Sequence, residues 1–233
     1  MKVVIAGGTS GIGFATAKML AEGNVEVIIT GRNEEKLKAA LSQLPETVKG
    51  SAIDSSDGNS LKSFMETTGN IDHLLLALSG AKGGGFFKDL DLSQLRAGFE
   101  EKLFPQLQTL KAALPHLVPG GSVCFITAVS AHARVPGVAG LAAINAALEA
   151  VVPILAKELK PTRVNAVSPG VIDTPWWNFL PEEVRIATFN QYAESSPVGR
   201  IGTANDIAKI IIQLMTNTFI TGQVITVDGG MSL

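Results

Sequence analysis

The chain has 233 residues, of which 46% are hydrophobic, 6% aromatic and 17% charged, and its formal net charge is −2. This length suits a single domain spanning 1–233, and the balance of 19 basic against 21 acidic residues leaves no electrostatic footprint for nucleic acid. The only cysteine, Cys124, excludes an internal disulfide framework and a multi-cysteine zinc site. The most apolar stretch, 138–155, is interrupted by polar residues and a proline, so we expect a cytoplasmic protein without a membrane span.

Short runs rich in β-branched residues alternate along the chain with longer stretches of helical periodicity. Strands are predicted near residues 2–6, 25–30, 48–53, 72–78, 121–127, 162–167 and 223–227. Helices are predicted near residues 11–22, 33–43, 57–67, 92–116, 137–159 and 204–216. Strands that are apolar at nearly every position are typical of a parallel sheet covered on both faces. The order of elements therefore predicts a doubly wound α/β fold with about seven parallel strands and helices on both faces.

Residues 168–202 form a long segment for which no strand is predicted, and we interpret 173–202 as a lid. The prolines of this segment are Pro169, Pro175, Pro181 and Pro197. Both tryptophans of the chain, Trp176 and Trp177, lie at the start of the lid. They predict contact with an apolar or aromatic substrate. The alternative is that they anchor the lid to the body or lie at a subunit contact.

A glycine-rich loop follows the first predicted strand and precedes the first predicted helix. Its sequence is Gly7-Gly8-Thr9-Ser10-Gly11-Ile12-Gly13. Glycine permits a sharp turn and the close approach of a pyrophosphate, and the N-terminus of the following helix offers free N–H groups. This context predicts a dinucleotide site rather than a plain tight turn. The predicted cofactor contacts here are Gly7, Thr9, Ser10, Gly11, Ile12 and Gly13.

With this loop, the chain resembles the short-chain dehydrogenase/reductase family over essentially its whole length. Further matching motifs are Asp54, Asn165, Pro169–Thr174 and Val227–Gly230. The resemblance implies a Rossmann-type fold, a nicotinamide cofactor and a small-molecule substrate. It also implies a homodimer or homotetramer formed through the helices near 92–116 and 137–159.

The end of the second predicted strand indicates which nicotinamide cofactor is preferred. Gly31 stands where NAD-preferring relatives carry an acidic residue, and Arg32 follows it. A guanidinium offers a fork of donors to a 2′-phosphate, and the Ser10 hydroxyl is expected to add a contact, so NADP(H) is predicted. The alternative is a solvated arginine at a helix start. By resemblance, Asp54 and Ser55 would contact the adenine, although Asp54 also suits an ordinary loop or capping residue.

The resemblance implies further contacts around the nicotinamide half of the cofactor. Gly80 would let the backbone pass the ribose. Ile172 and Thr174 would meet the carboxamide and phosphate ends. The remaining expected cofactor contacts are Asn145, Pro169 and Gly170.

The four catalytic positions of the family do not carry the family's residues. Relatives use a Tyr as general acid, a Lys four residues later, a Ser and an Asn. The corresponding positions here hold Leu141 for Tyr, Asn145 for Lys, Ala128 for Ser and Lys102 for Asn. The single tyrosine, Tyr192, lies in the lid and is not followed by a lysine four residues on, so no register shift restores the motif.

Polar residues near the expected nicotinamide are candidates for a replacement catalytic group. Lys102, Ser130 and His132 are the predicted catalytic residues, with Thr127 nearby. Lys102 would reach the volume left by the missing lysine, contact the cofactor ribose or a carbonyl oxygen, and donate a proton if desolvation lowers its pKa. Alternatively, Lys102 pairs with Glu101 or Glu149 or extends to solvent. His132 is either a replacement acid or a surface-loop histidine.

Two function classes follow from these residues. The leading prediction is an NADP(H)-dependent oxidoreductase that acts on a small or medium apolar carbonyl, quinone or imine with a non-standard proton donor. The alternative is a catalytically inactive NADP(H)-binding homologue that acts as a redox sensor or interaction protein. A lyase or isomerase using the cofactor as scaffold is a third possibility. His73 and His116 are interpreted as structural, and no metal site is predicted.

Overall fold

The computed structural model describes residues 1–23 and 25–233. Its strands are β1 (Lys2–Ala6), β2 (Glu26–Gly31), β3 (Lys49–Ala52), β4 (Ile71–Leu76), β5 (Leu117–Ile126), β6 (Arg163–Pro169), β7 (Ile172–Asp173), β8 (Gly202–Thr203) and β9 (Val224–Val227). Seven of them form one parallel sheet in the order β3-β2-β1-β4-β5-β6-β9. This arrangement confirms the predicted Rossmann-type, doubly wound sheet.

Helices cover both faces of this sheet. They are α1 (Gly11–Ala21), α2 (Glu34–Leu41), α3 (Gly58–Thr68), α4 (Leu92–Gly98), α5 (Phe104–Ala113), α6 (Ala139–Glu158), α7 (Glu182–Ser195) and α8 (Ala204–Thr216). One core cluster joins α1, α2 and α8 to the sheet, and a second joins α3, α5 and α6 to the opposite face. The alternating residues of β1 divide between them: Val3 and Ile5 belong to the first cluster, Val4 and Ala6 to the second. Both faces of the strand are therefore apolar, as its sequence requires.

The predicted single helix over 92–116 is wrong, because the structure breaks it. A π-helical turn, Phe99–Leu103, separates α4 from α5, and a 3₁₀ turn follows at Leu114–His116. Pro105, in the first turn of α5, has no N–H to give to a preceding carbonyl, so the regular ladder cannot continue through it. The widened turn carries Lys102 and buries its side chain.

The prediction that 168–202 contains no strand is also wrong. Strand β6 extends to Pro169, and β7 pairs in parallel with β8 through Ile172 and Gly202. Between these two short strands lies the 14-residue helix α7. None of the residues of α7 is buried, so it has no apolar stripe from which to predict it.

Helix α6 meets the length and composition criteria of a membrane-spanning helix, with a mean hydropathy of 1.8 and 33% of the window buried. The polar interruptions on which the sequence argument relied do not bring it below that threshold. Leu148 and Val152 are fully buried against the sheet, which accounts for part of this apolar character. Ile154 on the same helix is half-exposed. The subunit contact through this helix stays a prediction.

Candidate active site

Lys102 lies in a buried polar cluster at the carboxyl ends of the central strands. Its side chain is held between the turn that follows β5 and the second turn of α6. The ammonium Nζ donates to Asn145 Oδ1 at 2.7 Å and to the carbonyl oxygen of Thr127 at 3.1 Å. Lys102 is only 7% exposed, and the other two residues are buried as well. The structure therefore brings together Lys102 and Asn145, the two positions that the resemblance aligns with the Asn and the Lys of the family.

Neither of the alternative placements of Lys102 is found. The side chain does not extend to solvent, and Glu101 instead pairs with Lys82 at 2.7 Å. Glu149 acts on Lys102 through its charge, because the direct hydrogen-bond acceptors of Nζ are Thr127 and Asn145. The polar partners are neutral, so the ammonium is solvated by dipoles rather than by a paired carboxylate.

Burial makes this lysine costly. Desolvation lowers the pKa of Lys102 from 10.5 to about 8, and the charge of Glu149 partly opposes that shift. The unfolded chain holds the lysine proton up to higher pH, so the free energy of unfolding rises between about pH 8 and 10.5. Below pH 8 the buried ammonium costs about 3 kcal/mol, which the rest of the fold must offset. Such a cost favours a role for the residue beyond packing.

The Asn145 amide is fixed by its own hydrogen bonds. Its Nδ2 donates to the Leu141 carbonyl at 2.9 Å and to Ser130 Oγ at 3.0 Å. Because Leu141 O is an acceptor only, Nδ2 must face it, and Oδ1 is left to face Lys102. Ser130, a predicted catalytic residue, is thus linked to Lys102 through Asn145.

Glu149 connects the same cluster to two strand ends. Its Oε1 accepts from Thr127 Oγ1 at 2.8 Å and from Ser168 Oγ at 2.7 Å. His132 Nδ1 lies 3.6 Å from Glu149 Oε2, on an exposed turn. Sequence reasoning missed Ser168 and named Glu149 only as a partner of Lys102. The signal that could have identified Glu149 is its position four residues after Asn145, which places both side chains on the same face of α6.

The glycine-rich loop leaves the N-terminus of α1 open for an anion. Ser10, the N-cap residue, makes no side-chain cap hydrogen bond, and no acidic residue lies in the first turn. Four other helices are capped by a side chain: Asn33, Asp57, Asp91 and Thr203. The free N–H groups and the positive end of the helix dipole suit a pyrophosphate.

Close packing explains why the loop needs its glycines. Gly7 has a φ of +86°, and a Cβ there would lie 2.6 Å from the Ala77 carbonyl oxygen. A Cβ on Gly13 would overlap the carbonyl oxygen of Gly7. At Gly11, φ is +55°, and Thr174 would lie 3.4 Å from an added Cβ. The structure thus brings the predicted Thr174 contact beside the loop.

The remaining loop residues face in different directions. Ile12 packs its side chain against the core, and its carbonyl accepts from Thr16 Oγ1 at 2.8 Å. Thr9 leans toward Gly31, where an added Cβ would lie 2.6 Å from Thr9 Cγ2. Any side chain at position 31, an acidic one included, would displace Thr9. The pair therefore agrees with a site that does not bind the ribose through a carboxylate.

Arg32 and Asp54 lie on the exposed edge expected for the adenosine end. Within residues 1–23 and 25–233, Arg32 makes no hydrogen bond or ion pair and is free to turn onto a ligand. Asp54 Oδ1 accepts from Ser56 N and Oγ, and these bonds, with a smaller contribution from Arg32, lower the pKa of Asp54. Its side chain thus caps its own turn, while Ser55 is buried. The adenine contacts of Asp54 and Ser55 stay predictions.

The lid is tied to the body by its tryptophans. Trp176 Nε1 donates to the Gly80 carbonyl at 3.2 Å, and Trp177 Nε1 donates to the Ile172 carbonyl at 3.0 Å. The two indoles meet edge to face, 4.9 Å apart. This is the anchoring alternative considered for these residues, and substrate contact by Trp176 and Trp177 stays a prediction.

The backbone at Pro169 and Gly170 packs closely against the end of the chain. Gly170 N donates to the Val227 carbonyl at 3.0 Å, and a Cβ on Gly170 would lie 2.7 Å from Asp228 Cβ. Ile172 is buried just beyond. In the part of the chain that the structure describes, no three His, Cys, Asp or Glu side chains are grouped as metal ligands would be.

A family model described as "Enoyl-(Acyl carrier protein) reductase" matches residues 6–232. The chain belongs to the short-chain dehydrogenase/reductase family. It is 28% identical to the 3-oxoacyl-(acyl-carrier-protein) reductase of Chlamydia muridarum, over 98% of this chain and 96% of that one. The relationship confirms the predicted family of oxidoreductases.

Two solved structures are close to this short-chain dehydrogenase/reductase. A small-chain dehydrogenase in complex with NADPH is 34% identical, with a TM-score of 0.88 over 99% of this chain and 98% of the other. A short-chain oxidoreductase from Pseudomonas aeruginosa PAO1, described as containing an atypical catalytic center, is 26% identical. Its TM-score is 0.90, over 99% of this chain and 97% of the other.

The contact between Lys102 and Asn145 has a simple interpretation on the resemblance given above. That resemblance aligns Lys102 with an Asn of the family and Asn145 with a Lys, so the two residues would be a reciprocal exchange. The two exchanged side chains touch here at 2.7 Å. On that alignment an ammonium and an amide would both be retained, each from the opposite element. One prediction from the sequence was that Lys102 reaches the volume of the missing lysine, and the structure adds its hydrogen bond to Asn145.

Proposed function

We propose that this short-chain dehydrogenase/reductase is an NADP(H)-dependent oxidoreductase in which Lys102 replaces the missing tyrosine as proton donor. Its substrate would be a small or medium apolar carbonyl, quinone or imine. The observation that carries the proposal is the buried Lys102 ammonium bound to Asn145, the position of the family's lysine. The NADPH complex of a 34% identical relative supports the cofactor.

Different residues would bind the cofactor and contact the substrate in such a reaction. When bound, NADPH supplies the hydride. The N–H groups at the start of α1 would hold the pyrophosphate, and Arg32 would hold the 2′-phosphate. Of the three N–H donors of Lys102, two are used by Asn145 and Thr127, so the third is left for the substrate oxygen or nitrogen.

The pKa of Lys102 suits proton transfer near neutral pH. A pKa of about 8 keeps most of the side chain protonated at pH 7 yet makes it a much stronger acid than an ordinary lysine. The buried ammonium would also stabilise negative charge that develops on the substrate oxygen, because the surroundings are poor in water. Acceptors that are intrinsically reactive, such as quinones and imines, need this help least.

Arg32 is expected to determine the preference for NADPH over NADH. Changing Arg32 to alanine should raise the Kd for NADPH by about 10- to 100-fold, since a charge-assisted hydrogen bond contributes about 1.5–3 kcal/mol. The Kd for NADH should stay nearly constant, because it lacks the 2′-phosphate. Fluorescence titration with both cofactors measures the effect, with Arg96→Ala on the exposed face of α4 as control. Equal weakening of both cofactors would contradict this role.

The competing function is that of a catalytically inactive NADP(H)-binding homologue. The altered catalytic positions favour it, and the cost of burying Lys102 argues against it. Purified protein should be assayed for NADPH oxidation with quinones, activated ketones, aldehydes and cyclic imines, with NADPH binding followed in the same samples. Turnover supports the enzyme. Tight binding without oxidation of any compound favours the inactive homologue, and absence of binding contradicts both.

The predicted assembly and location extend this proposal. We propose a homodimer or homotetramer that forms through 92–116 and 137–159, and a cytoplasmic location. The exposed Phe104 and Ile154 on these helices support the subunit contact.

A further inference from the structure

We propose that Glu149 is a positioning residue whose negative charge keeps the Lys102 side chain in its ammonium form and whose hydrogen bond anchors Thr127, the residue whose carbonyl binds the ammonium. The role rests on the proposed proton transfer from Lys102. Glu149 belongs to none of the four catalytic positions of the family discussed above, so it would be an additional residue of the reaction.

The first argument is the way in which Glu149 is held. Its side chain is only 16% exposed, and one oxygen accepts two short hydrogen bonds, from Thr127 Oγ1 and Ser168 Oγ. Thr127 immediately follows β5, and Ser168 belongs to β6. The carboxylate therefore joins α6 to the ends of two neighbouring strands.

The second argument is that Thr127 binds both Glu149 and Lys102. Its hydroxyl donates to Glu149, and its carbonyl accepts from Lys102 Nζ. Removal of the Glu149 acceptor would free the Thr127 side chain to rotate. Its remaining acceptor, the Val167 carbonyl, is longer at 3.2 Å. Glu149 and the Lys102 ammonium are thus linked through one residue, Thr127.

The third argument is the balance of charge around the cluster. The groups that face Glu149 are the hydroxyls of Thr127 and Ser168, the buried Lys102 and the exposed His132. Glu149 raises the pKa of Lys102 while burial lowers it. A carboxylate beside a buried ammonium opposes the loss of the proton, since the charged form of each stabilises the other.

The competing explanation is that Glu149 is only a hydrogen-bond acceptor that holds α6 against the sheet. Glu149→Gln separates the two. The glutamine Oε1 can still accept from Thr127 Oγ1 and Ser168 Oγ, but the negative charge is gone. Glu35→Gln, at an exposed position of α2, removes a charge away from both the cluster and the proposed subunit contact and is the matched control.

The measurement is an NMR titration of lysines labelled with ¹³C at Cε, in the protein without cofactor, with the Lys102 signal assigned from Lys102→Arg. We expect the titration midpoint of Lys102 to fall by about half a pH unit or more in Glu149→Gln. It should stay unchanged in Glu35→Gln. The pH above which reduction slows should move in the same direction.

An unchanged Lys102 midpoint in folded Glu149→Gln would overturn the proposal. Should that variant not fold, Glu149→Asp serves instead. This variant keeps the negative charge but moves it away from Lys102, because the side chain is one methylene shorter. The Lys102 midpoint should then lie between that of the wild type and that expected for Glu149→Gln, and an unchanged midpoint would again overturn the proposal. A shifted midpoint in a protein that fails to oxidise NADPH with any of the carbonyls, quinones and imines tested would support the charge coupling and reject the proposed function.

Discussion

Changing Lys102 to methionine is expected to lower kcat for reduction by about 100- to 10,000-fold, the range typical for loss of a general acid. Methionine keeps an unbranched side chain of similar length in the buried turn but has no proton to donate. The affinity for NADPH should change little, because the phosphate contacts lie at α1 and Arg32. Steady-state kinetics and a fluorescence titration on the same samples measure both quantities.

The control is Lys209→Met, an exposed lysine on α8, outside the proposed subunit contact. It should retain wild-type kcat and Kd. If Lys102→Met folds, binds NADPH and turns over at the wild-type rate, Lys102 is not the proton donor. The proton donor would then be His132 or water.

Asn145→Lys is expected to destabilise the fold by about 3–5 kcal/mol, because it places a second ammonium beside Lys102 in a buried site. The double variant Lys102→Asn/Asn145→Lys restores one lysine and one amide in the arrangement typical of the family. It should recover most of that loss. Urea unfolding of the four proteins at pH 7 gives the coupling energy, which we expect to be at least about 2 kcal/mol.

A double variant that is as unstable as the sum of its single changes would contradict the exchange. Its two side chains would then be independent of one another, despite their 2.7 Å contact.

The elements that were predicted well carry their signals locally. The bounds predicted for α8, 204–216, agree with the structure. Thr203 and Asp206 form a capping box at its start, and its buried residues recur at helical spacing. Strand β1 and the glycine loop were likewise visible because an apolar run is followed directly by glycines and a helix. In each case the neighbouring residues alone determine the local structure.

The elements that were missed depend on tertiary structure. Helix α7 buries no residue, so its hydrophobic pattern had no period to detect. The π-helical turn that carries Lys102 depends partly on the packing of α6 against it. Pro105, its other cause, is visible in the sequence, and the prediction of one helix over 92–116 overlooked it.

The sequence predicted the residue types of the candidate site and one possible placement of Lys102, in the volume left by the missing lysine, but not its hydrogen bonds. The sequence indicated that Lys102 replaced an amide and Asn145 a lysine. Their contact joins residues 43 positions apart and requires both the widened turn and α6 to lie over β5. Ser168 was missed for the same reason, since its hydrogen bond with Glu149 exists only where β6 ends below α6.

The measurement that tests the proton-donor role of Lys102 most directly is the pH dependence of kcat/KM for the carbonyl, quinone or imine substrate at saturating NADPH. Lys102 donates only when protonated, so kcat/KM should be level below its pKa of about 8 and fall about tenfold per pH unit above it. Lys102→Arg keeps a positive charge but cannot titrate in this range, so its lower activity should show no such fall. A profile that is flat through pH 9.5 in the wild type, or a fall that persists in Lys102→Arg, would contradict proton donation by Lys102.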